Sequence, residues 1–143
     1  MKENKLLLMG MLPFFVGYIF YIVSLQTNIL SSSVSAIYLM LWSLLTYLLS
    51  EKKGSVLAQT CKALSIPTVI LLALLYQEIL LGAYWDDFIG IWSQLYYTPA
   101  LSLAMSADRI LLDSQRLWPT YCLEWLMLAF ATHVGVLCKK RFH

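Results

Sequence analysis

The chain is 143 residues long, 60% apolar and only 13% charged, with a mean hydropathy of +0.71. A soluble domain of this size carries about a quarter charged residues, so the composition excludes an ordinary soluble fold. The net charge of +2 says less than its placement. Lys2 and Lys5, then Lys52, Lys53 and Lys62, then Lys139, Lys140 and Arg141 form three basic clusters separated by long apolar runs. In a bilayer such clusters stay on the cytoplasmic side.

A spanning helix needs about 20 mostly apolar residues to cross a hydrocarbon core of about 30 Å. Residues 6–25 meet that without a charge. They exceed the roughly 7–15 residues of a signal-peptide core, so they read as a retained helix. A second span covers residues 34–50, short but ending on Glu51, Lys52 and Lys53, whose long side chains can snorkel. A third covers residues 64–84, with Pro67 placed in its first turn, where a missing N–H is tolerated. The last covers residues 120–138 and stops at Lys139.

These spans predict an all-α integral membrane protein with four transmembrane helices. Both termini and the loop over residues 51–62 lie in the cytoplasm, where all three basic clusters meet. Outside are a short turn and a segment over residues 86–119. That segment holds Asp86, Asp87, Asp108 and Asp113 against Arg109 and Arg116. Residues 88–107 have spanning length but are diluted by Ser93, Gln94, Tyr96, Tyr97, Thr98 and Pro99. As a fifth span they would move Lys139, Lys140 and Arg141 outside. The expectation is an interfacial or re-entrant helix–Pro–helix element between the third and fourth spans. One polytopic membrane domain, residues 1–143, covers the whole chain.

Trp85, Trp92, Tyr96, Tyr97, Trp118 and Trp125 cluster in or beside the outer segment. Such rings anchor at headgroup level, or they line an aromatic pocket for an apolar or cationic ligand. Gly10, Pro13, Gly17, Tyr21 and Ser24 form a stripe on the first span. Ala36, Met40, Ser43, Tyr47 and Ser50 form another on the second. Small residues let membrane helices approach closely, so the two stripes are expected to meet each other or a partner protein.

Glu78 and Glu124 stand where charge is expensive. A carboxylate inside a span must be protonated, paired or turned to a wet cavity. With Gln77, Asp86 and Asp87 they are the ligand- or proton-binding candidates, and facing inward they would form an acidic, outward-opening pocket. Glu124 has the alternative of pairing with Arg109 or Arg116. His133 is nine residues from Glu124 and out of phase with it, and Cys122 is too far from His133 for a nucleophile–base pair. Cys61, Cys122 and Cys138 predict no internal disulfide, and neither a cofactor nor a metal is indicated.

Glycine-rich phosphate loops, G-x-S-x-G and H-E-x-x-H are missing, and no basic surface supports nucleic-acid binding. Small multidrug transporters are also short four-helix proteins, but their acid lies in the middle of the first span, where this chain has none. Three functions are therefore expected, in descending order. The first is a non-enzymatic subunit of a membrane complex, partnered by lipid and by itself or a larger protein. The second is a small homo-oligomeric transporter or ligand-binding membrane protein using its intramembrane acids in an outward-facing site, and the third an intramembrane enzyme. Short loops without an N-x-S/T acceptor point to a bacterial plasma membrane.

Overall fold

A computed structural model describes residues 5–24, 31–82, 88–111 and 117–141, and among these the secondary structure is entirely helical. The helices are α1 (Lys5–Met9), α2 (Leu12–Ser24), α3 (Ser32–Leu49), α4 (Val56–Leu75), α5 (Phe88–Leu111) and α6 (Trp118–Arg141). A π-helical stretch, Tyr76–Leu81, extends α4 and ends on Gly82, whose φ of 61 is left-handed. Four stretches are long and apolar enough to cross a membrane: Lys5–Val23, Ser32–Leu49, Val56–Leu81 and Trp118–Arg141. Trp85, Asp86, Asp87, Asp113 and Arg116 lie outside the described residues.

The distribution of polarity fits lipid on the outside. Ser35, Thr46, Gln77, Thr120, Glu124 and Thr132 are buried, while Phe15, Met40, Leu80, Ile110 and Phe130 are exposed. Water would penalise those apolar faces, whereas a bilayer accepts them and favours polar groups turned inward.

Prolines shape three of the helices, because each removes a backbone donor. The first span is broken at Gly10 and Met11, where Gly10 N–H donates to Leu7 O at 2.9 Å and Phe14 N–H donates to Met11 O at 3.2 Å. Phe14 would ordinarily donate to Gly10 O. That carbonyl instead accepts the Tyr96 hydroxyl at 2.8 Å. Pro67 falls well inside α4 and not in a first turn, because the helix already starts at Val56. Its carbonyl accepts the Tyr97 hydroxyl at 2.7 Å. The earlier start also takes Cys61 and Lys62 out of the expected loop and onto α4.

Pro99 does not divide its segment. α5 runs through it as one 24-residue helix, packed against α2, α3, α4 and α6. The carbonyl deprived of an amide by Pro99 is that of Leu95, four residues back. Gly17 of α2 lies directly over it, so close that a Cβ there would collide with Leu95 O. Such a contact suits a Cα–H turned to a free carbonyl oxygen. The two small-residue stripes therefore do not pair mainly with each other. Gly17 serves α5, Gly10 packs on Ile66 of α4, and Ser43 meets Gly135 of α6. Between α2 and α3 runs an apolar groove of about 190 Å³ lined by Val16, Phe20, Ile37 and Leu41 among others.

At one end Lys139 and Lys140 of α6 meet the turn after α3 that carries Lys52 and Lys53. Lys140 Nζ donates to Gly54 O, and Lys139 Nζ stands 4.9 Å from the Tyr47 ring centre. Gln59 fixes the intervening turn, accepting from Glu51 N–H at 2.8 Å and donating to Glu51 O at 2.9 Å.

Candidate functional site

The core where α3, α5 and α6 meet collects most of the chemistry. On α6, Thr120, Tyr121, Glu124, Leu128 and Thr132 recur at three- and four-residue spacing and are all buried. On α3 the buried series is Ser35, Tyr38, Trp42 and Thr46. On α5 it is Tyr97, Ala100, Ala104 and Asp108. Helical periodicity thus turns one face of each helix into the same interior.

Glu124 is the central acid of this interior and is 1% exposed. The backbone amide of Ala100 approaches it, but neither carboxylate oxygen has a hydrogen-bond partner among the described residues. Tyr38, Tyr96 and Tyr97 are near enough to interact with its charge. Arg109, the expected partner within the described residues, is exposed on α5 and does not pair with it. The tyrosine rings pack edge to face: Tyr96 on Tyr97 with centroids 5.2 Å apart, and Tyr97 on Tyr121 at 5.7 Å.

Tyr96 and Tyr97 are 1% and 0% exposed, so these two rings stand in the bundle core and not in a belt around it. Their hydroxyls are occupied by Gly10 O and Pro67 O, and each tyrosine therefore pins a proline-perturbed turn. Trp125 is half-buried and donates to Thr68 Oγ1 at 3.1 Å, and Trp118 is half-buried at the start of α6. Trp92 lines an open aromatic groove. With Met11, Phe14, Phe15 and Tyr18 it borders about 760 Å³ of almost wholly apolar space.

Glu78 and Glu124 have different surroundings. Glu78, on the π-helical stretch, is half-buried and accepts the Leu117 N–H at 3.3 Å through Oε1. That amide opens α6, where a carboxylate complements the helix dipole. Gln77 beside it is buried. Asp108 performs a similar service from α5, accepting the Thr120 hydroxyl at 3.3 Å through Oδ2. Its other oxygen is buried without a hydrogen bond. Sequence reasoning counts Asp108 only among the charges of the outer segment and does not single out Tyr38. The signal for Asp108 was its place eight residues after Ala100, on the same helical face.

On the side of Glu124 away from Thr120 stands a buried hydrogen-bond relay. Trp42 Nε1 donates to Thr132 Oγ1 at 2.8 Å, and that hydroxyl donates to Leu128 O at 2.7 Å. His133 is exposed on the outer surface of α6, away from Glu124. The arrangement can hold a neutral carboxylic acid or a transiently charged one beside hydroxyls. The described geometry sets no nucleophile beside a base. Compared with family models, with curated proteins and with solved structures, the chain matches none.

Proposed function

We propose that the chain is a small multi-pass membrane protein acting as a non-enzymatic component of a membrane complex. One observation carries the reading: among the described residues polar side chains such as Ser35, Thr46, Glu124 and Thr132 are packed into the interior, and the broad outer faces are apolar. Such a molecule offers helix surfaces to lipid and to other membrane proteins. The basic end faces the cytoplasm, as the positive-inside rule demands, and a bacterial plasma membrane suits the short loops.

Four spans with both termini cytoplasmic fit the chain's reach. Gly82 and Phe88 bracket a connection whose six steps extend to roughly 20 Å, short of a hydrocarbon core of about 30 Å. α5 therefore starts on the side where the extension of α4 ends, or within the membrane near it. Its burial against four other helices favours a re-entrant element over one lying in the interface.

Burial of Glu124 favours a second reading, a homo-oligomeric transporter using its intramembrane acids. Native mass spectrometry of the protein gently extracted from its own membrane separates the two. A stoichiometric second protein is expected. A homo-oligomer alone would reject the subunit reading in favour of transport.

A further inference from the structure

We propose that the α3–α5–α6 core contains a hydrated proton-binding site, with Glu124 as the proton carrier and the hydroxyls of Tyr38 and Ser35 holding a water beside it. The proposal goes beyond the subunit reading, which assigns no ligand, and holds whether the chain serves a complex or works alone.

Buried polar atoms are rarely left without partners, and an exception signals a water, an ion or a working group. This core has a local concentration of exceptions. Both oxygens of Glu124, the hydroxyl of Tyr38, Oγ of Ser35 and Oδ1 of Asp108 are buried without a hydrogen bond among the described residues. Ser35 lies one turn before Tyr38 on the same buried face of α3, and Tyr38 is close enough to Glu124 to interact electrostatically with it. Opposite them α5 presents the small side chains of Ala100 and Ala104, both fully buried. A buried water needs about two to four polar partners, and these groups supply that number.

The ligand is a proton and not a metal cation because of the donor set. One carboxylate and two neutral hydroxyls fall short of the six or more oxygens a hard cation such as Ca²⁺ takes. A single buried acid, by contrast, takes up and releases one proton with no other change in composition. The titratable groups around it are neutral or acidic. They are Tyr38 on α3 and Tyr96 and Tyr97 on α5, with Asp108 one turn beyond Ala104 on α5 and Cys122 two residues before Glu124 on α6; Glu78, on the extension of α4, turns to the Leu117 N–H instead. No lysine, arginine or histidine among the described residues pairs with Glu124.

Thr120 stands one turn before Glu124 on α6, and its hydroxyl reaches Asp108 Oδ2 at 3.3 Å. Asp108 and Thr120 form a polar step from the α6 N-terminal end inward. In the other direction Tyr96, Tyr97 and the Trp42–Thr132 hydrogen bond close the core. The proton's proposed route to and from Glu124 runs through Asp108.

Infrared spectroscopy of the full chain in lipid nanodiscs tests the site. The wild type is expected to show a protonated-carboxyl C=O band that shifts in D₂O and disappears as pH is raised. Glu124→Gln removes the band, Tyr38→Phe moves it, and Asp108→Asn slows its D₂O shift. A band that neither shifts in D₂O nor titrates would make Glu124 a sealed structural acid and overturn the proposal. So would a wild type without such a band at any pH. The wild-type measurements decide the matter even where Glu124→Gln fails to fold.

Discussion

Trp42 and Thr132 show how a single pair stabilises this interior. Among the described residues Trp42 is the largest fully buried side chain, and its indole donates to a threonine that in turn donates to Leu128 O. Thr132→Val keeps the shape but leaves a buried indole N–H without an acceptor, which costs about 1–3 kcal/mol. Thermal unfolding in detergent should show that loss. Removing the donor too, with Trp42→Phe, should give a double variant less unstable than the two single losses added together. Tyr97→Phe should lower stability by about 0.5–1.5 kcal/mol, the net worth of one hydrogen bond, because its hydroxyl reaches Pro67 O inside the core. Apolar run length made Glu78 and Glu124 legible as acids within spans, but only Glu124 is buried, while Glu78 is half-buried. Side-chain partnership was not legible, since Tyr96 and Tyr97 are separated from Gly10 and Pro67 by 86 and 30 residues. A tyrosine near a span end reads as an anchor until the fold shows which carbonyl it meets.

Helix contacts turn on glycine and proline. Gly17→Ala would drive a methyl into Leu95 O, and backbone on both sides leaves little to give. Overpacking of this kind costs about 1–3 kcal/mol, read as a lower midpoint of thermal unfolding. Gly135→Ala should behave alike, since its Cβ would stand 2.9 Å from Thr46 Cβ and 3.1 Å from Tyr47 N. Both glycines lie at buried positions among helical neighbours, but the sequence offered Gly17 a wrong mate. Stripe matching paired it with α3, whereas the lost hydrogen bond at Pro99 made Leu95 of α5 its seat. Element existence followed from apolar length. The boundaries of α4 did not, because Gln59, Thr60 and Ala63 are buried by tertiary contacts that a polar stretch does not advertise. Gln59→Ala should speed amide exchange at Glu51, whose N–H it accepts at 2.8 Å, with little effect in the middle of α3.

At the scale of the whole molecule, the four candidate spans came from composition, while the packing of α5 among them did not. Its polar residues read as weakness for a span, yet Ser93 and Asp108 are buried among the other helices. The central claim is that four spans thread the membrane with the basic end in the cytoplasm. Impermeant thiol labelling in vesicles of known sidedness tests it most directly. Lys53→Cys and Ser33→Cys are placed separately in a chain whose Cys61, Cys122 and Cys138 are serine; both positions are exposed. Lys53→Cys should label from the cytoplasmic face alone and Ser33→Cys from the opposite face alone. Labelling of both from one face would contradict the threading of α3 and, with it, the account of the bundle.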